Sequence, residues 1–371
     1  MTIGLLATGD ELTHGDTLNT SSQIIARALS SEGMSMGMHV VCGDKEHELV
    51  EALKFLGNKH QVVVITGGLG PTSDDRTRFA LARYLNQALI EYADALCHVE
   101  ARLTRAKLLM NDGNRQQALF PDGATLFPNA HGTAMGCAYR QGKQLFILLP
   151  GPPNECMPMF QTYALPLLKK LIDSSKKAIL TWRLFGVAEG QIAEILEHAL
   201  EGITCQMGYC LQTPYLLFKV RCEPSCVAEV RGVIEPLISA YIIAPPEQTA
   251  SEQLSMLLAE HKVKMTVFDE ATGGVLQSLL QQPKNYTCLS FQANDHDKTR
   301  CYFHASGLQA YWQGASNAGS SDVVLMYRVG EQEGVARYTL PRIGAWTLHT
   351  AAEWLCARMF DLINQGHDFV T

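Results

Sequence analysis

The run Val62-Val63-Val64-Ile65, followed directly by Thr66-Gly67-Gly68-Leu69-Gly70-Pro71, decides the fold. Its residues are β-branched and do not alternate between apolar and polar, which is typical of a parallel strand buried on both faces. The glycines and the proline predict a tight loop at the carboxyl end of this strand. A central parallel strand indicates an α/β fold.

Strand and helix patterns alternate on both sides of this run. Apolar runs at residues 3–7, 38–42 and 145–149 predict further strands, and apolar side chains at helical spacing predict helices between them. This order is typical of a doubly wound sheet with helices on both faces. We therefore expect a three-layer α/β/α domain over residues 1–175.

Two smaller modules are expected after this domain. Residues 176–245 hold short strand patterns and two helical ones, which predicts a small α+β module. The stretch 244–249 reads Ala-Pro-Pro-Glu-Gln-Thr, and its prolines interrupt both helices and sheets, so it has the composition of a linker. Residues 250–371 again mix strands and helices, and a C-terminal α/β domain is expected there.

The composition excludes several classes of function. The 371 residues carry 30 Lys and Arg against 37 Asp and Glu, a net charge of -7, without the clustered basic residues that nucleic acid or anionic membranes attract. No apolar run reaches the roughly 18 to 20 residues of a membrane span, and no signal peptide is evident. The 11 cysteines include no Cys-x-x-Cys pair, which suits reduced thiols. We expect a soluble, cytoplasmic protein. Four cysteines that lie close together are expected to be core thiols and not zinc ligands: Cys205, Cys210, Cys222 and Cys226.

The loops after the four predicted strands should meet at one crevice, because ligands of open α/β sheets bind beyond the carboxyl ends of the strands. Glycines in the loop after Ile65 allow backbone N–H groups to turn towards a phosphate. The loop has neither the Gly-x-Gly-x-x-Gly spacing nor the lysine of a Walker loop. The alternative is a tight turn followed by an aspartate that caps a helix, but four polar loops at one sheet edge favour the anion cradle.

Acidic side chains surround this predicted anion site. They would repel an anion unless a cation lay between them, which indicates Mg²⁺ or a similar hard divalent metal held by one or two carboxylates and by substrate phosphates. K⁺ is a further candidate ion. Each carboxylate taken singly has an alternative as a helix cap, and Asp44 is expected in an N-cap position. The acidic residues are Asp10, Glu11, Asp44, Asp74 and Asp75.

Five short segments, in this order along the chain, resemble the N-terminal domain of the CinA family of competence/damage-inducible proteins. The resemblance covers roughly the first 170 residues, and that domain is similar to the molybdopterin-binding domains of molybdenum-cofactor biosynthesis. The segments are Thr8-Gly9-Asp10-Glu11, Gly67-Gly68-Leu69-Gly70-Pro71-Thr72-Ser73-Asp74-Asp75, Asn114-Arg115-Gln116-Gln117-Ala118, Gly132-Thr133-Ala134-Met135-Gly136 and Leu149-Pro150-Gly151-Pro152-Pro153-Asn154-Glu155.

The resemblance implies an activity and a set of site residues. In the CinA family this domain is associated with metal-dependent hydrolysis of ADP-ribose and related dinucleotide pyrophosphates. In the molybdopterin relatives, the aspartates at the positions of Asp44 and Asp75 are the functional acids. We therefore expect Asp44, Asp75 and Asp10 as catalytic residues, with Asp44 and Asp75 also holding the metal. The residues expected to bind the nucleotide and its phosphates are Thr8, Gly9, Glu11, Asn19, Gly67, Gly68, Leu69, Gly70, Pro71, Thr72, Gly132, Thr133, Pro150, Gly151 and Glu155.

The two later modules also resemble parts of this family. Residues 176–245 are similar to its KH-like domain but lack an evident Gly-x-x-Gly loop, so RNA binding does not follow. Residues 250–371 resemble a C-terminal domain that in other members is a nicotinamide-mononucleotide deamidase with a serine nucleophile. This chain has Glu270 at the serine position, and a carboxylate is not a ready substitute for an activated hydroxyl. Lys298 is a candidate for a lysine that the family carries downstream. The degenerate deamidase site consists of Glu270, Thr272, Gly273 and Gly274.

The leading interpretation is a CinA-like protein whose N-terminal domain hydrolyses the pyrophosphate of ADP-ribose or a related nucleotide with a divalent metal. The C-terminal domain is expected to be structural, with Glu270 as a replacement acid as the alternative. The rival interpretation is a non-catalytic protein that binds a nucleotide or a pterin in the same crevice. A homo-oligomer, specifically a dimer, is the expected assembly.

Overall fold

The computed structural model describes residues 2–171, 177–292, 301–314, 321–340 and 344–365. Contacts divide the chain into two compact units, Met1–Lys177 and Ala178–Thr371. The candidate residue Lys298 lies outside the described residues. Across the described ranges, no helix combines the length and the hydropathy that crossing a membrane requires.

The first unit alternates strands and helices along the chain. Residues 160–164 form a single π-helical turn between the last two helices. The elements are β1 (Thr2–Thr8), α1 (Asp10–Thr13), α2 (Thr20–Ser31), β2 (Ser35–Cys42), α3 (Glu46–Gly57), β3 (Val62–Thr66), α4 (Thr77–Leu85), β4 (Leu89–Glu91), α5 (Ala93–Arg105), α6 (Asp112–Gln116), β5 (Leu119–Pro121), β6 (Thr125–Phe127), β7 (Gly136–Gln141), β8 (Gln144–Leu149), α7 (Pro153–Met159) and α8 (Leu165–Leu171).

The main sheet of this unit has the strand order β2-β1-β3-β8-β7-β6 in the described part of the chain. Strands β2, β1, β3 and β8 are parallel, whereas β7 and β6 pair antiparallel at one edge. The four parallel strands therefore present their carboxyl ends at the same edge of the sheet. Strands β4 and β5 form a separate antiparallel pair.

All five residues of β3 are buried, because helices cover both faces of the sheet. Val63 and Ile65 belong to one hydrophobic cluster with side chains of α3 and α4. Val62 and Val64 belong to a second cluster with side chains of α2 and α7. Successive side chains of a strand point to opposite faces, so a strand with two covered faces carries apolar residues on both, as the four residues before Thr66 do. The prediction of a doubly wound α/β domain is confirmed.

The second unit contains two separate sheets with separate cores. In the described residues, a three-stranded sheet of order β10-β11-β9 carries α9 and α10, and a five-stranded sheet of order β13-β12-β14-β15-β16 carries the remaining helices. The predicted division at 245–250 stays a prediction, since both modules belong to one compact unit. The elements are β9 (Ala178–Phe185), α9 (Glu189–Ala199), β10 (Cys205–Gln212), β11 (Tyr215–Cys222), α10 (Val227–Ile238), α11 (Ala250–His261), β12 (Met265–Asp269), α12 (Val275–Leu280), β13 (Leu289–Phe291), β14 (Cys301–Gly307), α13 (Gln309–Trp312), β15 (Ser321–Val329), β16 (Gln332–Leu340) and α14 (Thr347–Gln365).

Two local predictions were wrong. Asp44 is not an N-cap, because α3 begins at Glu46 and Lys45 holds the cap position. The four neighbouring cysteines are not uniformly core thiols: Cys222 is buried, but Cys210 is exposed on β10 and Cys205 and Cys226 are half-buried. All 11 cysteines are free.

Candidate functional site

A pocket of about 350 Å³ lies at the carboxyl ends of the parallel strands of the first unit. The loops after β1, β2, β3 and β8 all contribute to its lining, together with residues between α6 and β7. Such an edge is where open α/β sheets bind ligands, because the loops after neighbouring strands converge there. The lining residues that the sequence had predicted are Thr8, Gly9, Glu11, Asp44, Gly67, Gly68, Leu69, Gly70, Pro71, Asp75, Thr133, Pro150, Gly151 and Glu155.

Four other predicted residues do not line this pocket but lie near it or in the adjoining one. The side chain of Asp10 accepts a hydrogen bond from the Asp44 amide, at 3.2 Å. The hydroxyl of Thr72 donates to Asp75 Oδ2, and a Cβ on Gly132 would lie 2.0 Å from Glu155 Oε2. Asn19 lines a neighbouring pocket and caps α2 through Ser22. Asp10 and Thr72 therefore position the lining carboxylates Asp44 and Asp75.

The glycine-rich loop leaves only part of its backbone free to bind a ligand. The Gly67 amide donates to the Leu149 carbonyl at 3.0 Å, and the Gly70 amide donates to Asp75 Oδ1 at 2.7 Å. Pro71 has no amide hydrogen. Within the described chain, nothing accepts a hydrogen bond from the amides of Gly68 and Leu69, and both residues line the pocket. The part of the predicted anion cradle that this loop can supply is therefore the two N–H groups of Gly68 and Leu69.

Asp75 is a loop residue and not a helix cap, since α4 begins at Thr77. In addition to the Gly70 amide, it accepts hydrogen bonds from the Thr72 amide at 2.8 Å and the Thr72 hydroxyl at 2.5 Å. These three bonds close the loop on itself. One further lone pair on Oδ1 is left for a ligand or a cation.

Arg78 is a fully buried cation beneath the same loop. Its Nη1 donates to the Leu69 carbonyl at 2.7 Å and its Nη2 to the Gly70 carbonyl at 3.3 Å. Burial lowers the pKa of the guanidinium to about 10, while the charge of nearby Asp75 acts in the opposite direction. Arg78 therefore remains charged at neutral pH and holds the loop from the interior of the protein.

Asp44 and Asp10 bind each other's backbone across two neighbouring loops. Asp44 Oδ2 accepts from the Asp10 amide at 3.0 Å, and Asp44 Oδ1 accepts from the Thr8 hydroxyl at 2.7 Å. Each carboxylate oxygen of Asp44 keeps one lone pair. The charge of Asp44 also reaches Cys42, whose thiol pKa is raised to about 11, mainly by burial and then by Glu48 and Asp44.

The pocket is strongly acidic. Its lining includes five carboxylates, and among the described residues no lysine or arginine lines it. Glu155 Oε2 accepts from Asn129 Nδ2 at 2.7 Å, which fixes one carboxylate at the rim. In water a phosphate would be repelled by such a set unless a cation joined it. The five carboxylates are Glu11, Asp44, Asp74, Asp75 and Glu155.

The donor chemistry of this site fits a hard divalent cation that arrives together with an anionic ligand. Across the described residues, no group of three or more His, Cys, Asp or Glu side chains is arranged to hold a metal by itself. Mg²⁺ is usually held by one or two carboxylates plus substrate phosphates, and does not need an all-protein cage. Asp44 and Asp75, both on the pocket and both with a free lone pair, are the residues that could hold it.

A second pocket of about 220 Å³ adjoins the first. Thr8, Glu11, Gly151 and Pro152 line both. The lining of this second pocket is rich in hydroxyl side chains, which suits a polar group such as a sugar. The hydroxyl residues are Thr8, Thr17, Thr20, Ser21 and Thr66.

Three residues that position the site were missed in the sequence: Thr77, Arg78 and Gln117. Gln117 is buried and its Nε2 donates to the Thr133 hydroxyl at 3.1 Å and to the Leu69 carbonyl at 3.4 Å. Since the Thr133 oxygen accepts here, its own proton can be donated into the pocket. Gln117 belongs to one of the five segments that resemble the CinA family, so the sequence did point to it. For Thr77 and Arg78 the only indication was that they follow Asp75 closely in the chain.

The predicted degenerate site in the second unit forms a compact turn after β12. Asp269 accepts hydrogen bonds from the Thr272 amide and hydroxyl, and Gly273 adopts a φ of 61° with its Cα facing Trp312. Glu270 Oε2 lies 2.6 Å from His304 Nε2. Glu270, the residue expected at the position of the nucleophile, is thus a carboxylate paired with an imidazole.

The open sheet, the glycine-rich loop and the pocket at the strand ends define the first unit as an α/β domain of the molybdopterin-binding type. The family described as "Probable molybdopterin binding domain" matches residues 4–170. The chain belongs to the CinA family.

Two curated relatives are similar over most of this chain, and one solved structure is similar over part of it. A CinA-like protein of Citrifermentans bemidjiense is 34% identical over 280 residues, which are 74% of this chain and 67% of the relative. A competence-damage inducible protein of Clostridium acetobutylicum is 29% identical over 95% of this chain and 81% of its own. The crystal structure of the CinA protein of Thermoplasma acidophilum is 27% identical over 46% of this chain and 98% of that one, with a TM-score of 0.42.

Proposed function

We propose that the first unit hydrolyses the pyrophosphate of ADP-ribose, or of a related nucleotide, with the help of a divalent metal. In this reaction the oxygen of water forms a bond to one phosphorus, and the bond from that phosphorus to the bridging oxygen breaks. ADP-ribose would give AMP and ribose 5-phosphate, with protons released to solvent. The proposal is consistent with the family's molybdopterin-binding fold, and it goes beyond what the family match itself states.

The observation that carries the proposal is the pairing of two free backbone amides with an acidic pocket. Gly68 and Leu69 offer N–H donors to an anion, while five carboxylates surround the same space. Anion donors and carboxylates in one pocket are mutually compatible only when the ligand brings both phosphate oxygens and a counter-cation. A nucleotide pyrophosphate with Mg²⁺ meets this requirement.

The residues of the chain can be given separate roles. The Gly68 and Leu69 amides and the Thr133 hydroxyl would bind phosphate oxygens. Asp44 and Asp75 would hold the cation or orient the attacking water through their free lone pairs. When bound, Mg²⁺ would neutralise charge that develops on the phosphate oxygens.

The adjoining pocket supports a ligand with more than one part. A pyrophosphate seated on the glycine-rich loop would have its neighbouring sugar next to Glu11, which lines both pockets. Both Glu11 carboxylate oxygens could accept from ribose hydroxyls. A dinucleotide therefore uses the available space better than inorganic pyrophosphate does.

The test is turnover of ADP-ribose by the purified full-length chain. Phosphorus NMR should show AMP and ribose 5-phosphate appearing with Mg²⁺, and no products after treatment with EDTA. Adding K⁺ to the Mg²⁺ reaction tests the second candidate ion. Absence of products under all these conditions would remove the proposed activity.

A second candidate function is non-catalytic binding of a nucleotide or a pterin. It is favoured by the family description "Probable molybdopterin binding domain", which names binding and no reaction. Calorimetric binding of ADP-ribose without any turnover would favour this candidate over hydrolysis.

A further inference from the structure

Thr77, the first residue of α4, contacts the underside of the glycine-rich loop through two atoms. Its hydroxyl donates to the Gly67 carbonyl at 2.8 Å, and its amide donates to the Gly68 carbonyl at 3.2 Å. Thr77 is 1% exposed and does not belong to the pocket lining in the described chain. One buried residue thus binds two successive carbonyls of the loop.

The direction of these carbonyls determines the direction of the free amides. In a trans peptide the C=O and the following N–H point to opposite sides of the chain. The Gly67 carbonyl shares its peptide with the Gly68 amide, and the Gly68 carbonyl shares its peptide with the Leu69 amide. Because both carbonyls face Thr77, both N–H groups face away from it.

Glycine is required for this arrangement. Gly67 and Gly68 have φ values of 99° and 65°, a region that favours glycine. A Cβ on Gly68 would lie 2.1 Å from Thr77 Oγ1, and a Cβ on Gly67 would lie 2.4 Å from the Thr8 carbonyl oxygen. The loop therefore rests directly on Thr77, and glycine substitutions would strain the loop itself.

The next peptide of the loop is held differently. Arg78 binds the Leu69 carbonyl and Asp75 accepts from the Gly70 amide, so this amide is not available to a ligand. The amides of Gly68 and Leu69 are consequently the two main-chain donors that the loop presents, and Thr77 fixes both.

We propose that Thr77 is the positioning residue of the phosphate site: its hydroxyl and amide fix the loop so that the Gly68 and Leu69 N–H groups point at a phosphate. This inference rests on the proposed function, because it assumes that a phosphate occupies the pocket. Thr77 itself does not touch the ligand. Its hydroxyl acts through the Gly67–Gly68 peptide.

The experiment compares Thr77→Val, which removes the hydroxyl, with Thr77→Ser, which keeps it but loses the methyl group. Both changes disturb packing at a buried position, so if Thr77 only filled space, both variants should bind the ligand more weakly. We expect Thr77→Val to weaken Mg²⁺–ADP-ribose binding by roughly 10- to 100-fold, the range for losing hydrogen bonds to a charged group. Thr77→Ser should stay within about threefold of the wild type. Thr104→Val is the control, because Thr104 also donates its hydroxyl to a backbone carbonyl, but on the exposed face of α5.

Binding is measured by calorimetry with Mg²⁺–ADP-ribose and, separately, with Mg²⁺ and inorganic pyrophosphate. If the wild type binds pyrophosphate but does not turn over ADP-ribose, the proposed hydrolysis fails while the role of Thr77 is still decided by the Val and Ser variants. Equal weakening by Val and Ser, or unchanged binding in Thr77→Val, overturns the inference.

A second measurement needs no variant and covers the case in which Thr77→Val does not fold. Protein labelled with ¹⁵N in glycine and leucine is titrated with Mg²⁺ and pyrophosphate. The amide signals of Gly68 and Leu69 should shift downfield more than that of Gly70, whose N–H is already bonded to Asp75. Equal shifts at Gly70 would overturn the inference.

Discussion

Asp75 and Arg78 bind opposite ends of a single peptide group. The Leu69 carbonyl accepts from Arg78 Nη1 at 2.7 Å, and the amide of Gly70 in the same peptide donates to Asp75 Oδ1, also at 2.7 Å. Arg78 is fully buried, whereas Asp75 lines the pocket. The peptide plane is thus fixed between the core and the site, so a carboxylate expected to act on a ligand is also part of the loop's framework.

Replacing Asp75 by Asn should lower turnover of ADP-ribose by about 10² to 10⁴, typical of losing a catalytic group. The amide nitrogen of Asn cannot accept a hydrogen bond from the N–H of Thr72 or Gly70. The free energy of unfolding should therefore also fall, by about 1 kcal/mol. The matched control is Asp122→Asn, in an exposed turn outside the pocket lining. Turnover that survives in Asp75→Asn while stability falls would assign Asp75 to the loop framework alone.

Binding of ADP-ribose should depend on Mg²⁺, and Asp44 should carry this dependence. In the wild type, chelation of the metal should weaken binding because the five lining carboxylates then repel the phosphates. In Asp44→Asn, calorimetric titrations with and without Mg²⁺ should differ less than in the wild type, because one ligand of the cation is lost while four lining carboxylates remain. Because the change also removes one negative charge from the pocket, binding of ADP-ribose without metal should be no weaker than in the wild type. Equal Mg²⁺ dependence in both proteins would exclude Asp44 as a metal ligand.

The sheet and the meeting of its loops could be predicted from the sequence because both depend on patterns of a few neighbouring residues. Four β-branched residues in a row indicated a strand covered on both faces, and glycines at strand ends indicated where loops meet. The short strand patterns predicted in residues 176–245 did not include β10, because five of its eight residues are exposed and its contact with the neighbouring core is made by Cys205 and Tyr209. It is held by a complete antiparallel register with β11, from Cys205↔Cys222 to Gln212↔Tyr215, which is a tertiary property.

The supporting residues of the site could not be predicted for a related reason. Arginine side chains are mostly exposed in proteins, and the burial of Arg78 depends on partners that only the fold brings to it, the carbonyls of Leu69 and Gly70. Similarly, Asp44 follows a strand and precedes a helix, which favoured an N-cap. Its actual partners, Thr8 at the end of β1 and the amide of Asp10 at the start of α1, lie more than 30 residues earlier in the chain. Residue type predicted the chemistry, whereas the partners depended on the fold.

The free energy of unfolding of the protein should fall between pH 8 and 10 because of Cys137. This thiol is fully buried, and burial raises its pKa from 9.0 to about 12. A raised folded-state pKa gives stability that is present below the unfolded pKa and is lost as the pH rises towards the folded one, so about 1.4 kcal/mol should be lost by pH 10. Cys42 and Cys156, with pKa values raised to about 11 and about 12, act in the same direction.

Urea unfolding at pH 8 and pH 10 measures this effect. The loss should be smaller in Cys137→Ala and unchanged in Cys210→Ala, whose thiol is exposed. The range ends at pH 10 because the lowered pKa of Arg78, about 10, adds stability at higher pH and so opposes the thiols. An identical pH dependence in the wild type and Cys137→Ala would contradict the assignment.

The chain should not release ammonia from nicotinamide mononucleotide. The resemblance to the family's C-terminal domain implies that this reaction needs a nucleophilic hydroxyl at the position of Glu270, and a carboxylate does not provide one. Glu270 Oε2 is paired with His304 Nε2 at 2.6 Å, and Phe268 stacks on the same imidazole, so the pair is held in place. The charge of Glu270 would also repel a substrate phosphate in the same turn. A coupled ammonia assay on the full chain should therefore give the same background rate for the wild type, Glu270→Gln and the control His304→Gln. Ammonia release by the wild type that is lost in Glu270→Gln would show that the carboxylate has replaced the serine as a reactive group.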